Sequence, residues 1–501
     1  MTRRSRPTRQ MGGITQPPFA QVPRTYPAID VLSLDQVQAI HNAALKVLRD
    51  TGLRVLHPPA RSYFAAAGAR IIEERVRLDP DLIAERLKTV PKSFTLTARN
   101  PAKNLRLGGP DTVFASVGGP AYVMDAEHGR RDGTFAEMEN YLRLIQSLNV
   151  IHQEGGGPFE PMDLPPNTRH LDIYLAQITL LDKSWQTQTL GHARTMDGLE
   201  MAALMLQTPV DRLPTTLLGI INTNSPLQLD VPMAEGLIAM AQHGQVNVIT
   251  PFTLAGAMAP VTIAGALTLQ HAEALAGIVL TQIVTPGVPV MYGGFTSNVD
   301  MRSGSPAFGT PEYTKAAQAS GQLARHIGVP FRSSNVTAAN AVDAQAAYES
   351  QMALWGSVMG GAHLIEHAAG WMHGGLTASF EKLILDAEML AMMQAYLTPI
   401  ATDPDSLATE AIAAIGPGGH FFGADHTMTR YENAFYTPLI SNWDNYPQWL
   451  QKGSIDATAR ATQVWKQMLA EHEDPGLDPA VWETLTAYVT RRKAEGGAPM
   501  N

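Results

Sequence analysis

Between about residue 113 and residue 400 the chain repeats one pattern eight times: a short β-branched run ends in polar or glycine residues and gives way to apolar residues spaced three or four apart. The runs Val113–Val123, Val150–Glu154, Ser184–Gln188, Thr216–Asn222, Val246–Phe252, Val288–Phe295, Val329–Ser334 and Ala362–Ala368 predict strands. Glu137–Leu148, Leu171–Leu181, Met233–Gln242, Tyr313–His326, Tyr348–Met359 and Leu383–Tyr396 predict amphipathic helices between them. Strands that alternate with helices pair in parallel through crossovers. Eight units over roughly 280 residues predict an α/β fold, a (β/α)8 TIM barrel, with an open doubly wound sheet as the alternative. In such a barrel, chemistry belongs at the C-terminal ends of the strands.

The flanks read differently. Residues 1–28 read as a disordered basic tail and 29–112 as an N-terminal α+β cap. The cap is expected to hold helices near Leu34–Asp50 (capped by Ser33), Pro59–Ala67 and Asp79–Leu87, then short strands at Ser93–Thr97 and Asn104–Leu107. The barrel occupies 113–400. Residues 401–501 form a glycine-rich loop and a helical extension, with helices at Tyr446–Lys452, Ile455–Glu471 and Ala480–Lys493. The aromatic side chains of these last helices predict packing on the outside of the barrel or on a second subunit, hence a homo-oligomer.

Composition narrows the function. A hydrophobic content of 45% with 17% charged residues predicts a large core. The net charge of −9 excludes nucleic acid as the main partner, because phosphate binding needs clustered Lys and Arg, and it gives no support for anchoring on an anionic membrane. The longest apolar run, Leu267–Val284, is interrupted by His271 and Glu273, so no membrane span is expected. Arg3, Arg4, Arg6 and Arg9 precede no apolar segment of the secretory kind. Without cysteine there are no disulfides, thiolate zinc sites, iron–sulfur clusters or cysteine nucleophiles, and a cytoplasmic location is expected.

The predicted strand ends supply a polar inventory: His152, Gln153 and Glu154 before Gly155–Gly157; Gln186 to Gln188; Asn222; Tyr292 to Phe295; Arg332 to Asn335; Glu366 and His367. Strand alternation puts His363, Ile365 and His367 on one face, and Val150, His152 and Glu154 likewise. If those faces point inward, His367 and Glu154 lie at the mouth and His363 and His152 deeper. A buried Arg or Glu is costly unless paired or bound, which makes Arg332 and Glu154 candidates for lining a ligand site. Phosphate-loop, dinucleotide, zinc-protease and serine-elbow signatures are all missing from the sequence. The loop with His420, Asp425 and His426 has no ligand spacing that favours a metal, and is expected to close over the strand ends with Phe421 and Phe422 as apolar plugs.

Several motifs in order resemble the trimethylamine methyltransferase family, specifically its members without pyrrolysine, which include glycine betaine:corrinoid methyltransferases. They are Gly118-Gly119-Pro120-Ala121-Tyr122 with Asp125, Asp343-Ala344-Gln345-Ala346-Ala347-Tyr348-Glu349, Glu366-His367-Ala368-Ala369-Gly370, and Gly419-His420-Phe421-Phe422 with His426-Thr427, followed by Phe435-Tyr436-Thr437-Pro438 and Trp443, Tyr446 and Trp449. The resemblance covers nearly the whole chain after the tail. It implies a barrel that presents a methylated amine to a separate corrinoid (cobalamin) protein, whose Co(I) takes the methyl group, with no cofactor bound tightly to this chain and no metal. Members that act on trimethylamine carry pyrrolysine near the position of Val336, where this chain has no amine-capturing electrophile. The implied substrate is therefore a quaternary amine, glycine betaine or a related betaine.

A quaternary ammonium cannot donate hydrogen bonds, so aromatic faces and carboxylates must hold it. On this resemblance Tyr122, Tyr292, Phe295 and Trp371 are candidate cage members, Gln345 a further substrate contact and Glu154 a counter-charge. Arg332 would take a betaine carboxylate bidentately, with His367 as second donor. Glu154 and His367 are the candidate catalytic residues. Two other readings stay open from the residues: a metal-dependent barrel lyase or hydrolase, and a quaternary-amine binding protein without turnover.

Overall fold

In the computed structural model, which describes residues 14–499, six of the predicted strands form one parallel sheet. These are β1 (Val113–Ser116), β2 (Leu218–Ile221), β3 (Val246–Ile249), β4 (Val290–Gly293), β5 (Phe331–Ser334) and β6 (Leu364–Ala369), in the spatial order β1-β6-β5-β4-β3-β2. Registers such as Tyr292↔Phe331 and Arg332↔Leu364 stagger each strand along its neighbour. The other two predicted strands, 150–154 and 184–188, are extended but joined only by single parallel bridges: Ala115↔Gln153, Gln153↔Ser184 and Gln186↔Leu218.

Eight helices follow these segments in turn: α1 (Phe135–Ser147), α2 (Arg169–Leu180), α3 (His192–Met205), α4 (Val231–Gln242), α5 (Ile263–Val284), α6 (Pro311–His326), α7 (Ala344–Met359) and α8 (Phe380–Leu397). The α3 and α5 helices were not among the predicted amphipathic segments. The α5 helix is buried on nearly all sides, so it shows no apolar stripe. By length and composition alone it could cross a membrane, but here it is a core helix. Its interrupting Glu273 accepts from the Ser225 hydroxyl (2.7 Å) and the Leu227 N–H (2.7 Å), which satisfies a buried carboxylate.

Alternate strand positions divide between two cores. Val113, Ala115, Leu218, Val246, Val248, Met291 and Leu364 face one another inside the curl of the sheet, together with Leu96, Leu105 and Leu107 from a hairpin of Phe94–Leu96 and Leu105–Leu107. The intervening positions, such as Ile249, Tyr292, Phe331 and Ile365, pack outward against the helices. The predicted strand Val113–Val123 is broken after Ser116, where the chain passes so close to its neighbour that a Cβ at Gly118 would lie 1.8 Å from the Gly155 carbonyl oxygen. The second half, Tyr122–Asp125, instead pairs with Gly129–Asp132 as a hairpin outside the main sheet.

Part of the expected tail, 1–13, lies outside the described residues. Residues 14–28 run extended across the body and do not behave as a free tail: Gln16 Nε2 donates to the Ser147 carbonyl (2.9 Å), and Arg24 N–H to that of Pro110 (2.8 Å). The cap helices form at Leu34–Lys46, Pro58–Ala66 and Pro80–Leu87, the first with Ser33 and Gln36 as a reciprocal capping box. The C-terminal helices Ala457–Glu471 and Pro479–Ala494 pack on the same chain, where Trp465 Nε1 donates to Glu381 (2.9 Å) and Tyr488 Oη to Asp197 (2.8 Å). The loop before them closes nothing. Phe421 and Phe422 are 43% and 86% exposed, because the segment hydrogen-bonds within itself, through Asp405 and Arg430, rather than over the strand ends.

Candidate active site

A cavity of about 400 Å³ opens at the C-terminal ends of the strands. One wall is bare main chain at Gly118, Gly119, Gly155 and Gly156, and the opposite wall is apolar, with Ile220, Met233, Phe252 and Phe295. Polar side chains close the rest: Glu160, Gln186, Gln188, Asn222, Arg332, Glu366 and His367.

Arg332 projects inward from β5 and is only 2% exposed. Its Nε and Nη1 atoms find no hydrogen-bond partner among the described residues. Its guanidinium carbon lies 5.5 Å from the Phe295 ring centre. Burial opposes the charge of Arg332, while the nearby Glu366 favours it. Burial also pushes the Glu366 carboxyl up to about 7, against the stabilising effects of Arg332 and of Gln186, whose Nε2 donates to both carboxylate oxygens (2.9 and 3.0 Å). His367 is stacked on Trp371 (centroids 5.6 Å apart, planes 12°), its Nδ1 without a partner. Burial and Arg332 push His367 down to about 3, so the ring is neutral at neutral pH.

Of the residues predicted for the site, Arg332, His367 and Phe295 line this cavity and the others do not. Glu154 points outward to the helix layer, where its oxygens accept from Gly156 N–H (2.9 Å), Gly157 N–H (2.7 Å) and Gln177 Nε2 (2.5 Å). Tyr292 also faces outward, hydrogen-bonded to Gln270 (3.1 Å) and His271 (3.2 Å) on α5. Tyr122 sits on the hairpin under the Arg130 guanidinium (3.8 Å). Trp371 stands behind His367, packed against Phe308 and Phe295. Gln345 lies on α7, bonded to Glu349 (2.8 Å).

The alternation expected for β6 was one residue out of phase, since Leu364 and Glu366 face inward and Ile365 outward. The deeper histidines cap main chain instead: His152 Nδ1 accepts from Phe114 N–H (3.0 Å) and His363 Nδ1 from Phe331 N–H (2.9 Å). Glu366 and Gln186 were placed at strand ends but given no role in the site, and Phe252 and Glu160 were missed. The signal for Glu366 was present, as a carboxylate in an otherwise apolar strand beside a histidine. Among the described residues no cluster of three or more His, Asp or Glu is arranged to hold a metal ion.

The model of the trimethylamine methyltransferase family, MTTB, matches residues 1–497. The chain belongs to that family. Among MTTB relatives, a glycine betaine methyltransferase of Desulfitobacterium hafniense (strain Y51) is 36% identical, over 94% of this chain and 98% of its own. A trimethylamine methyltransferase, MttB, of Desulfitobacterium hafniense (strain DSM 10664 / DCB-2) is 26% identical over 92% of this chain and 94% of its own. The crystal structure of the hydroxylamine MtmB complex shares the fold, with a TM-score of 0.50 at 11% identity over 89% of this chain and 93% of that one. This MTTB protein is accordingly an enzyme that transfers methyl groups.

Proposed function

We propose that this methyltransferase takes a methyl group from glycine betaine or a closely related betaine and gives it to the Co(I) of a separate corrinoid protein. The observation that carries the reading is Arg332: an enclosed guanidinium at the cavity wall with two nitrogen atoms unpartnered. An enclosed guanidinium with unpaired N–H donors is costly unless an anion completes it, and a carboxylate is an anion of the right shape. The substrate carboxylate would sit on Arg332, with neutral His367 as its second donor. The trimethylammonium pole would then lie toward the faces of Phe252 and Phe295, with Glu160 as a further carboxylate of the cavity lining. Val336, fully buried and apolar, offers nothing that could capture an uncharged amine, which supports a quaternary substrate.

The corrinoid supplies the nucleophile. This chain binds the betaine, aligns one N–CH3 bond with the opening and excludes water; alignment of two reactants is worth ~7–11 kcal/mol of barrier. Four glycines bare the wall at the mouth, and at Gly119 an added Cβ would meet nothing within 4 Å, which leaves room for a large planar ring to approach. The leaving group is a neutral tertiary amine and needs no proton, so no acid is required of Glu366 or His367.

The sheet and its two bridged segments are read as a complete (β/α)8 barrel, 29–112 as its cap and 401–501 as its extension. A cytoplasmic location and a homo-oligomer that covers Phe422, Phe435 and Trp443 belong to the same reading. Purified protein mixed with cob(I)alamin and glycine betaine should form methylcobalamin, followed by its absorbance. Choline, which lacks the carboxylate, should not react. Absence of methylcobalamin with every betaine and carnitine tried would refute the proposal.

A further inference from the structure

The end of β6 departs from strand geometry, and what holds it there lies one layer behind the cavity. His367 sits at φ +53°, and the register between β6 and β1 shifts between Ile365 and Ala369. In a regular strand successive side chains point to opposite faces. Here both Glu366 and His367 reach the cavity. The turn is pinned on either side. Asn335 accepts nothing at its Oδ1, but its main-chain N–H donates to the Glu366 carbonyl (3.0 Å) and its Nδ2 to the Ala368 carbonyl (2.9 Å) and Asp386 Oδ1 (3.3 Å). Asp386 Oδ2 accepts from Gly370 N–H (2.8 Å). Asp386 is paired with Lys382, whose Nζ also donates to Ser350 Oγ (2.8 Å). Both members of this ion pair are 0% exposed, and neither lines the cavity.

We infer that Asp386 is a positioning residue: with Asn335 it ties Ala368 and Gly370 to α8, and so forces the left-handed turn that aims two consecutive side chains, Glu366 and His367, at the substrate. A buried ion pair is a poor source of stability, since apolar residues of like volume do as well or better. What apolar residues cannot supply is a pair of oxygens directed at Gly370 N–H and the Asn335 amide. The inference rests on the reading of this cavity as the betaine site.

The test uses Asp386→Asn and Asn335→Ala in the full-length protein, with two measurements. In methylcobalamin formation, each variant should lose at least tenfold in kcat/KM. In carbon-13 NMR, the Glu366 carboxyl signal, assigned by its loss in Glu366→Gln, should change its titration midpoint from the wild-type value near 7. That midpoint is set first by burial and then by Arg332 and Gln186, so it reports where Glu366 sits among them. A folded variant with an unmoved midpoint and unchanged kcat/KM overturns the inference, whatever happens to its melting temperature. Should Asp386→Asn not fold, Asn335→Ala, which leaves the ion pair intact, decides alone. A wild-type protein without betaine turnover sinks the substrate reading instead, while the NMR midpoint still tests the positioning.

Discussion

Burial without partners makes Arg332 the most informative single replacement. A hydrogen bond to a charged group contributes on the order of 1.5–3 kcal/mol, so Arg332→Ala should weaken betaine binding about tenfold or more by calorimetry. Unchanged affinity would remove Arg332 from the site. Glu366 adds a pH dependence with a definite sign. Its carboxyl lies at about 7 in the folded protein against 4.5 ordinarily, so ionisation is disfavoured in the native state. The group therefore costs nothing below pH 4.5, costs progressively more stability from 4.5 to about 7, and adds nothing further above that. Once ionised it also competes with a substrate carboxylate for Arg332. Betaine affinity should fall as pH rises through 7, and Glu366→Gln should flatten both that fall and the stability slope. A variant with the wild-type pH profile would show that another group titrates.

At the level of elements, the repeat of strand and helix was legible because apolar spacing records which face is buried. Most strand boundaries and the amphipathic helices held to within a few residues, but Val113–Val123 breaks after Ser116, and 150–154 and 184–188 pair only through single bridges. What spacing could not provide was the phase of each strand. Tyr292 and Glu154 were expected at the site, and each faces the helices; in a curled sheet whose strands are buried on both sides, neither face is polar enough to betray the other. Arg332 and His367 were legible because buried charge and a histidine at a strand end stand out, whereas the turn that brings Glu366 beside His367 depends on residues from β5 and α8 distant in sequence. The same turn yields a stability prediction. Gly370 is at φ +99°, and an added Cβ would stand 2.0 Å from Tyr141 Oη. Gly370→Ala should destabilise the protein by more than ~1 kcal/mol, seen as a lower thermal midpoint. A midpoint equal to wild type would mean that the turn relaxes freely.

Across the whole molecule, main-chain pairing is uneven. From β2 to β1 by way of β3, β4, β5 and β6 each neighbouring pair shares a ladder of two or more residue pairs, but 150–154 and 184–188 are joined to their neighbours by single bridges. Side chains take over there: Gln153 Nε2 donates to Ser184 Oγ (3.0 Å), and Gln186 Nε2 reaches Gln153 Oε1 (3.3 Å) as well as Glu366. Few ladder bonds mean low local opening energies. Amides of 150–154 and 184–188 should exchange with deuterium before those of β3 to β6, and bound betaine should slow them, because it fills the cavity that Gln186 and Glu366 line. Equal exchange all round would contradict this. A wall stitched by glutamines on one side and by peptide bonds on the other yields in only one direction, so bulkier methyl donors should be accommodated by a give at that seam while the guanidinium opposite keeps its place.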